Sequence, residues 1–457
     1  MADPDAAAAS SESAVKLSLN RRRDALDAAA DAELRAGDDP AIWGAIGTLC
    51  SYANDQPRAL AAFNRALALA PEETQLLYNR ATVRRFLGDL EGAEADYDRV
   101  IASKPQDYEA YLNRSELRVQ TAARNHIPEL ANLLAHKVAD WRAEVQIRYA
   151  LAKEHEDLSE YAKSIEQLRI GAGLRRDHMK YDVSTDVATV DWIIGAYPAF
   201  SPDAVPNAAS EAPIFIVGLP RSGTTLVERI LSSHSSLSSA GELDCFASSI
   251  VDAVRQRTGG LAVPRRQLVT LSASLDFAAL GADYLRRARS VVDGADRFID
   301  KMPLNYLYCG LIRRALPNAK IIHVTRHPMA VCYAMYKTLF RQGYPFSYDL
   351  HEIAQYYLAY RRLMQHWQAT MPGAIHELSY EDLVADSFTE TRKLLAYCDL
   401  GWEDGCASFH RNPSASTTAS ASQVRRPIYG SSVSLWRHYE HELSGLKEEL
   451  ASAGVRI

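Results

Sequence analysis

The stretch PIFIVGLPRSGTTLVERIL, residues 213–231, decides the fold of the second half of this chain. An apolar run leads into a loop bounded by Gly218 and Gly223, and an amphipathic run follows. This pattern predicts a strand, an anion-binding loop and a helix. The free N–H groups of such a loop and of the first helical turn point toward a bound anion. Residues 218–225 are therefore predicted to bind a phosphate or sulfonate group.

The loop has the glycine spacing of a P-loop, but Thr224 stands where a Walker motif has its lysine. Arg221 is the only cation in residues 218–225 and offers a fork of N–H donors, while Ser222, Thr224 and Thr225 offer hydroxyls. An enzyme that handles a nucleoside triphosphate needs the lysine and Mg²⁺ at the terminal phosphates. A donor with one phosphate and one sulfonate needs less positive charge. The loop therefore favours sulfuryl transfer.

Four segments carry a family resemblance, and they occur in this order: P-R-S-G-T-T (220–225), A-G-E (240–242), D-K-M-P (300–303) and S-Y-E-D-L (379–383). They resemble the sulfotransferases that use 3′-phosphoadenosine-5′-phosphosulfate (PAPS). More narrowly, the chain is similar to bacterial sulfotransferases with N-terminal tetratricopeptide repeats, which are relatives of tyrosylprotein sulfotransferase. The resemblance covers most of the chain. It implies PAPS as the sulfuryl donor, no metal, and a hydroxyl acceptor such as a tyrosine of a peptide or protein.

The resemblance implies four catalytic residues. Glu242 matches the general base that removes the acceptor's proton, and a carboxylate within hydrogen-bond reach suits that role. Lys301 matches the lysine that meets charge on the departing bisphosphate, and Arg221 assists it in the transfer. Ser420 matches a serine near the sulfuryl group. His234 is the rival base, because cytosolic sulfotransferases use a histidine, although its setting between serines indicates a turn.

The resemblance also implies contacts to the cofactor. Arg326 ends the run AKIIHVTR and matches the arginine that binds the 3′-phosphate. Tyr380 matches a tyrosine on the cofactor. Arg425 and Arg426 lie in a segment that resembles a loop covering the cofactor. The full predicted cofactor set is Arg221, Ser222, Gly223, Thr224, Thr225, Arg326, Tyr380, Arg425 and Arg426.

Three positions depart from the family pattern. Ala334 stands where a serine is usual, Thr338 where the tyrosylprotein enzymes have an arginine, and Leu435 where a basic residue is common. These departures support a second hypothesis, a repeat-based adaptor protein with a degenerate sulfotransferase domain. A third hypothesis is a P-loop kinase, against which the missing Walker lysine argues.

The first half of the chain carries an internal repeat. Pro71 and Pro105 stand 34 residues apart, the period of a tetratricopeptide repeat. Counting back from them places small and aromatic residues at the repeat's packing positions: Trp43, Gly47, Ala59, Phe63, Ala66, Ala93 and Tyr97. The predicted organisation is a disordered N-terminus (1–20), tetratricopeptide-like helical repeats (21–127), a helical extension and linker (128–205, with the proline-rich stretch 201–213 as the linker) and a sulfotransferase domain (206–457).

From residue 213 onward, short apolar runs alternate with longer amphipathic ones. Strands are predicted at 214–218, 297–300, 320–325 and 375–379, and helices at 224–233, 266–288, 304–315, 350–370 and 385–398. This alternation is typical of a mostly parallel sheet covered by helices, which binds ligands at the carboxyl ends of its strands. The predicted fold class is an α-helical tetratricopeptide-like repeat domain followed by an α/β, P-loop-like sulfotransferase domain.

Composition argues against several other classes of protein. The 457 residues carry a net charge of −6, which argues against a general surface for nucleic acid. Six scattered cysteines without a CxxC pair argue against a disulfide framework or a structural zinc site. The start of the chain lacks the apolar core of a signal peptide, and no apolar run reaches the ~20 residues that span a bilayer. We expect a cytoplasmic protein that binds an acceptor substrate and, through its repeats, a protein partner, but no membrane.

Overall fold

The computed structural model describes residues 22–457 except 137, 139, 199–212, 293–296, 342, 419, 420 and 422. It forms two compact units. One unit runs to Asp177 and includes Pro413–Arg426, and the other comprises His178–Asn412 and Pro427–Ile457. The predicted disordered segment 1–20 and residues 201–212 of the predicted linker lie outside the described residues.

The first unit is helical, as predicted. Its helices in the described residues are α1 (Arg22–Arg35), α2 (Pro40–Tyr52), α3 (Gln56–Leu69), α4 (Thr74–Leu87), α5 (Leu90–Ser103), α6 (Tyr108–Ser115), α7 (Ile127–Ala135), α8 (Trp141–Asp157) and α9 (Tyr161–Asp177). Aspartates begin several of them by accepting hydrogen bonds from backbone N–H groups of the first turn, as Asp39 does for α2 and Asp89 for α5. Helices α2 and α3 pack as a pair, as do α4 and α5.

The predicted packing positions of the repeat are buried, except Trp43, which is half-buried. A Cβ atom added at Gly47 would lie 2.8 Å from the Phe63 ring, so only glycine lets α2 approach α3 this closely. Ala59 and Ala66 are fully buried on α3, and Tyr97 is fully buried on α5. Small residues allow the helices to approach and aromatic residues fill the seam, as expected of a tetratricopeptide array.

A segment from far along the chain completes the first unit. The Arg425 guanidinium donates to the Phe86 carbonyl at 2.7 Å, and the Ser416 N–H donates to the same oxygen at 3.2 Å. Phe86 lies in the last turn of α4, where carbonyl groups lack partners within the helix. Gly88 ends α4 at φ 92°, and a Cβ atom there would lie 2.7 Å from the Arg425 side chain. Residues 413–426 therefore supply a C-terminal cap for α4.

The second unit has a five-stranded parallel sheet in the order β2-β3-β1-β4-β5. The strands are β1 (Ile214–Val217), β2 (Ser238–Ser239), β3 (Phe298–Asp300), β4 (Lys320–Thr325) and β5 (Ile375–Ser379). The α-helices described in this unit are α10 (Val183–Ala196), α11 (Thr224–Leu231), α12 (Cys245–Arg257), α13 (Arg265–Ser272), α14 (Phe277–Arg289), α15 (Cys309–Ala315), α16 (Pro328–Tyr336), α17 (Leu350–Thr370), α18 (Tyr380–Ala385), α19 (Ser387–Tyr397), α20 (Asp404–Ala407), α21 (Ser431–Ser434) and α22 (Ser444–Ser452). Short 3₁₀ helices span Pro303–Tyr308, Pro345–Tyr348, Phe409–Arg411 and Leu435–Tyr439.

The central strand β1 explains why the sheet is buried on both faces. All four of its residues are inaccessible to solvent, as expected of an apolar strand between parallel neighbours. Phe215 lies beside Asp300 of β3 and Ile321 of β4, so the carboxyl ends of these three strands meet at one edge. Aliphatic side chains of α11 and α19 pack against the sheet in the same core cluster.

Each predicted strand is present to within one residue at each end, and helix α17 has the predicted bounds. Two predicted helices are interrupted. The predicted helix 266–288 divides into α13 and α14, where Asp276 accepts from the Ala279 N–H and begins a new helix. The predicted helix 304–315 divides into the 3₁₀ helix Pro303–Tyr308 and α15. The predicted helix 385–398 is present as α19, with Asp386 as its N-cap. Sequence reasoning missed β2, α12 and α16.

The units divide the chain after Asp177, whereas the sequence placed the boundary of the second domain at residue 206. Helix α10 and the residue after it pack within the second unit. The Tyr197 hydroxyl lies 2.8 Å from the Ser272 hydroxyl, and the Tyr197 carbonyl lies 2.8 Å from His366 Nε2. The residues that make these contacts lie far apart in the sequence, so local sequence patterns do not predict the contacts.

A search for membrane-spanning helices gives a limited result. Among the described residues no single helix is long and apolar enough to cross a membrane, although the bent pair α13 and α14, at 109°, reaches the length and composition together.

Candidate active site

The anion loop connects β1 to α11, and glycines shape it. Gly218 adopts φ 152° and Gly223 adopts φ 107°. A Cβ atom at Gly218 would lie 2.6 Å from the Val324 carbonyl oxygen, and one at Gly223 would lie 2.5 Å from the Tyr380 ring. Arg221 adopts φ 68°, a left-handed conformation that costs a non-glycine residue about 1 kcal/mol or more. The backbone of the loop is thus held in a conformation that an ordinary strand-to-helix connection does not need.

Two buried polar atoms at the loop fit a bound anion. Ser222 is 1% exposed, and its hydroxyl has no hydrogen-bond partner among the described residues. The Arg326 Nε atom is likewise buried and has no hydrogen-bond partner among the described residues. A buried donor without a partner costs about 1–3 kcal/mol, and a bound anion would satisfy both of these atoms. Thr224 and Thr225 begin α11 beside them, where the helix N-terminus favours negative charge.

Arg326 connects the loop to the rest of the predicted cofactor set. Its two Nη atoms donate to the carbonyls of Arg221, at 2.7 Å, and Ser432, at 2.6 Å. The guanidinium lies 4.7 Å from the centre of the Tyr380 ring, and the Tyr380 hydroxyl lies 2.8 Å from the Ser432 hydroxyl. Burial lowers the pKa of Arg326 below its usual value. The structure therefore brings together the anion loop, Arg326 and Tyr380, and it adds Ser432, which sequence reasoning missed.

The predicted base and the predicted lysine contact each other. Lys301 follows β3, is 1% exposed, and donates a short hydrogen bond from Nζ to Glu242. The Glu242 side chain is 46% exposed, so it faces solvent while Lys301 does not. The missed strand β2 explains their meeting, because it pairs with β3 and continues into Gly241, whose carbonyl accepts from the Lys301 N–H at 2.9 Å.

A second carboxylate reaches the same lysine. Glu228 of α11 lies 3.8 Å from Lys301 Nζ through one oxygen and accepts from the Ser239 hydroxyl at 2.5 Å through the other. Burial by itself lowers the pKa of the Lys301 ammonium, but the carboxylates of Glu228 and Glu242 outweigh burial and raise it above its usual value. The sequence offered one signal for Glu228: it stands one helical turn after Thr224, on the face that the anion loop begins.

The neighbouring Asp300 has a structural setting. It is fully buried, and one carboxylate oxygen accepts from the Tyr284 hydroxyl at 3.0 Å and the Asn305 amide at 3.3 Å. Burial raises its pKa to about 7, against an ordinary value of 3.8. These contacts tie β3 to α14 and to the 3₁₀ turn that follows Lys301.

The rival base His234 closes a turn. It is 6% exposed, its Nδ1 accepts from the Ser236 N–H at 3.1 Å, and its Nε2 lies 3.4 Å from Glu403. Both ring nitrogens thus face groups of the turn and its neighbours. This setting agrees with ranking Glu242 above His234.

Arg425 and Arg426 are the two residues of the segment predicted to cover the cofactor. The structure assigns Arg425 to the first unit, where its guanidinium binds the carbonyls of Phe86 and Ser414, and Arg426 is exposed. Arg425 thus caps a repeat helix, and its contact with the cofactor stays a prediction. Ser420 lies outside the described residues.

Two of the three positions that depart from the family pattern, Ala334 and Thr338, contact each other. Ala334 is buried on α16, and the Thr338 hydroxyl donates to the Ala334 carbonyl at 2.8 Å. That bond turns Thr338 back onto the end of α16. Among the described residues no group of three or more His, Cys, Asp or Glu side chains is arranged to hold a metal ion.

Comparisons with known proteins agree with this architecture. Residues 213–404 match a family model described as "Sulfotransferase family", and residues 74–107 match a tetratricopeptide repeat model. The chain is 31% identical over 391 residues to an uncharacterized protein of Aquifex aeolicus, covering 83% of this chain and 50% of that protein. The chain therefore spans about half the length of this relative.

Two further relatives have names that state a function. The chain is 25% identical over 229 residues to a putative protein-tyrosine sulfotransferase of Caenorhabditis briggsae, covering 49% of this chain and 80% of that protein. It is 24% identical over 249 residues to a protein-tyrosine sulfotransferase of Drosophila melanogaster, covering 49% and 46%. An anion loop without a Walker lysine, a parallel sheet behind it and these matches agree with one another: residues 213–404 are similar to the sulfotransferase family, and the preceding helices include a match to a tetratricopeptide repeat.

Proposed function

We propose that this chain is a PAPS-dependent sulfotransferase that transfers a sulfuryl group to a hydroxyl. One observation carries the proposal. Helix α11 begins at the anion loop, beside the unpartnered Ser222 hydroxyl, and one turn later its Glu228 reaches the Lys301 ammonium. A site for an anionic donor and a buried cation suited to a leaving group are thus joined by a single short helix.

The residues fit PAPS through their donors. When bound, PAPS supplies the sulfuryl group and leaves as adenosine 3′,5′-bisphosphate. The N–H groups of residues 218–225 and the Ser222 hydroxyl would hold its sulfonate and 5′-phosphate. Arg326 and Tyr380 would hold the nucleotide portion.

Glu242 and Lys301 divide the chemistry. Glu242 accepts the proton of the acceptor hydroxyl as the acceptor oxygen bonds to sulfur, which makes that oxygen a better nucleophile. Lys301 stabilises the negative charge that develops on the departing oxygen, with Arg221 in support. A carboxylate bonded to an ammonium is a weak base, so the contact between Glu242 and Lys301 must open before proton transfer.

The finer proposal is that the acceptor is a tyrosine of a peptide or protein. Its support is the names of the Caenorhabditis and Drosophila relatives, together with a repeat array that offers an extended surface to a chain-like partner. Mass spectrometry of tyrosine peptides incubated with PAPS tests it. Sulfation of a saccharide or small phenol with a higher kcat/KM than any peptide would overturn the choice of acceptor and leave the donor proposal intact.

Isothermal calorimetry separates the donor proposal from its alternatives. We expect adenosine 3′,5′-bisphosphate to bind more tightly than ADP or ATP and without Mg²⁺. Equal or tighter binding of Mg·ATP would favour a kinase, and binding of neither nucleotide would favour an adaptor with a degenerate domain. Gly223→Ala is the control variant for this measurement. Its Cβ atom would collide with Tyr380 and strain the loop, so the variant should bind adenosine 3′,5′-bisphosphate more weakly.

Glu242→Gln tests the base. It keeps the shape of the side chain and removes its basicity, so turnover should fall by about 10²-fold or more while adenosine 3′,5′-bisphosphate still binds. His234→Ala is the comparison variant and should retain turnover. If His234→Ala is inactive and Glu242→Gln is active, the two roles are exchanged.

A further inference from the structure

The contact between Glu242 and Lys301 raises a question of charge. Lys301 is 1% exposed, so a lysine that lost its partner there would be an isolated buried cation. Glu242 nevertheless has to leave Lys301 in order to accept a proton. Something else must hold the ammonium while Glu242 is engaged with the acceptor.

We infer that Glu228 is a positioning residue, which holds the Lys301 ammonium in place and frees Glu242 to act as the base. This inference rests on the proposed function. Glu228 lies 3.8 Å from Lys301 Nζ, close enough to take over the ammonium with a small movement. Lysine suits such an exchange, because its ammonium is a compact charge with three rotatable donors.

Glu228 is fixed independently of the lysine. Its second oxygen accepts from the Ser239 hydroxyl at 2.5 Å, and the Ser239 oxygen accepts from the Gly241 N–H at 3.1 Å. Glu228 therefore also supports the short segment that carries Glu242. Its side chain is 13% exposed, against 46% for Glu242, so Glu228 is the inner carboxylate and Glu242 the one within reach of an acceptor.

The charge of Glu228 should make Glu242 a stronger base. With two carboxylates around one ammonium, the cluster carries a net negative charge, and that charge helps Glu242 take up a proton. Removing the charge of Glu228 leaves Glu242 and Lys301 as a neutral, tighter pair. Glu242 then becomes a weaker base, and it should lose its proton at lower pH.

Two other titratable side chains lie near the cluster of Glu228, Glu242 and Lys301. Asp300 adjoins Lys301 in the chain, and Tyr344 lies near Glu242. Burial raises the pKa of Tyr344 far above its usual value, so its phenol stays neutral in the range of interest. Asp300 is present in the wild type and in every variant below, so the difference between two pH profiles reports on Glu228.

The first test is the pH–rate profile of the full chain with Glu228→Gln. We expect kcat to fall roughly tenfold, KM to change less, and the acid limb of the profile to move to lower pH, because one unit of displacement corresponds to a tenfold change in proton affinity. Glu228→Asp should recover part of kcat. The matched control is Glu403→Gln, which removes a carboxylate that likewise accepts from a serine hydroxyl, that of Ser235, at 2.6 Å. An unmoved acid limb, or an equal loss in the control, would overturn the inference.

The second test does not depend on turnover. Lysine labelled with ¹³C at Cε allows the Lys301 ammonium to be titrated by NMR, and Lys301→Ala identifies its signal. Glu228→Gln should lower the midpoint of that titration, whereas Glu403→Gln should leave it in place. An unchanged midpoint in Glu228→Gln would refute the hold of Glu228 on Lys301 even if transfer proceeds. A lowered midpoint in a protein that transfers no sulfuryl group would support the hold and refute the proposed function.

Discussion

Two buried charge clusters, one in each unit, have opposite arrangements. In the repeat unit one carboxylate, that of Asp96, is held by two guanidiniums: Arg80 donates twice, at 2.9 and 2.7 Å, and Arg84 once, at 2.8 Å. In the second unit one ammonium, that of Lys301, lies between two carboxylates. Three directed bonds with planar donors fix Asp96 in a single geometry.

Lys301 has a looser arrangement. It bonds to one carboxylate, that of Glu242, while the other, that of Glu228, lies 3.8 Å away. Such a cation can exchange partners without moving through the protein. The comparison shows that the orientation and number of the bonds, more than burial itself, distinguish a charge cluster that stabilises this fold from one that can take part in a reaction.

Lys301→Ala breaks the reactive cluster and should have the largest effect. We expect kcat to fall by about 10²–10³-fold, because charge on the leaving group then has no buried cation to meet it. Single-turnover kinetics and calorimetry with adenosine 3′,5′-bisphosphate measure the effect on rate and on binding separately. Equal losses in both would show that Lys301 binds the ground state.

Asp96→Asn breaks the stabilising cluster and should rank second. The amide accepts fewer hydrogen bonds and turns N–H groups toward two arginines, so the free energy of unfolding of the repeat unit should fall by about 2 kcal/mol. Asp38→Asn is the control, because its pair with Arg65 is exposed and should contribute less than about 0.5 kcal/mol. Urea denaturation measures both. A loss in Asp96→Asn no larger than in Asp38→Asn would contradict the contrast between the clusters.

Asp300→Asn should have the smallest effect, and it sharpens the comparison because this buried carboxyl is hydrogen-bonded by neutral donors. Burial raises its pKa from 3.8 to about 7, so its protonated form is favoured in the fold. Its stabilising contribution is complete below pH ~4 and is lost as the pH rises to ~7. The wild type should therefore lose about 1 kcal/mol more than the variant between pH 6 and 7, measured by thermal unfolding at each pH. Parallel pH dependences would show that Asp300 is not protonated.

The local features of the second unit could be predicted from sequence. The anion loop, the strand before it and the apolar run that ends at Arg326 each depend on neighbours within a few residues, and each is where the sequence placed it. Lys301 and Glu242 were selected by family resemblance. Their contact could not be predicted, because it depends on β2, a strand of two residues without a periodic signal.

Two sets of contacts could not be predicted, for different physical reasons. A glutamate on an amphipathic helix usually faces solvent, and only the fold brings Glu228 to Lys301. The partner of Arg425 is the end of a helix in the repeat unit. No local property of residues 413–426 indicates that distant helix.

The cap on α4 also sets an order of events during synthesis. Arg425 emerges from the ribosome 339 residues after Phe86, an interval of roughly 20–70 s at about 5–20 residues per second. The repeat helices can fold from local contacts in that time, but α4 remains without its cap. A chain that terminates before residue 413 would therefore display an unfinished repeat unit to chaperones and proteases. Completion of the N-terminal unit thus reports that nearly all of the sequence of the second unit has been translated.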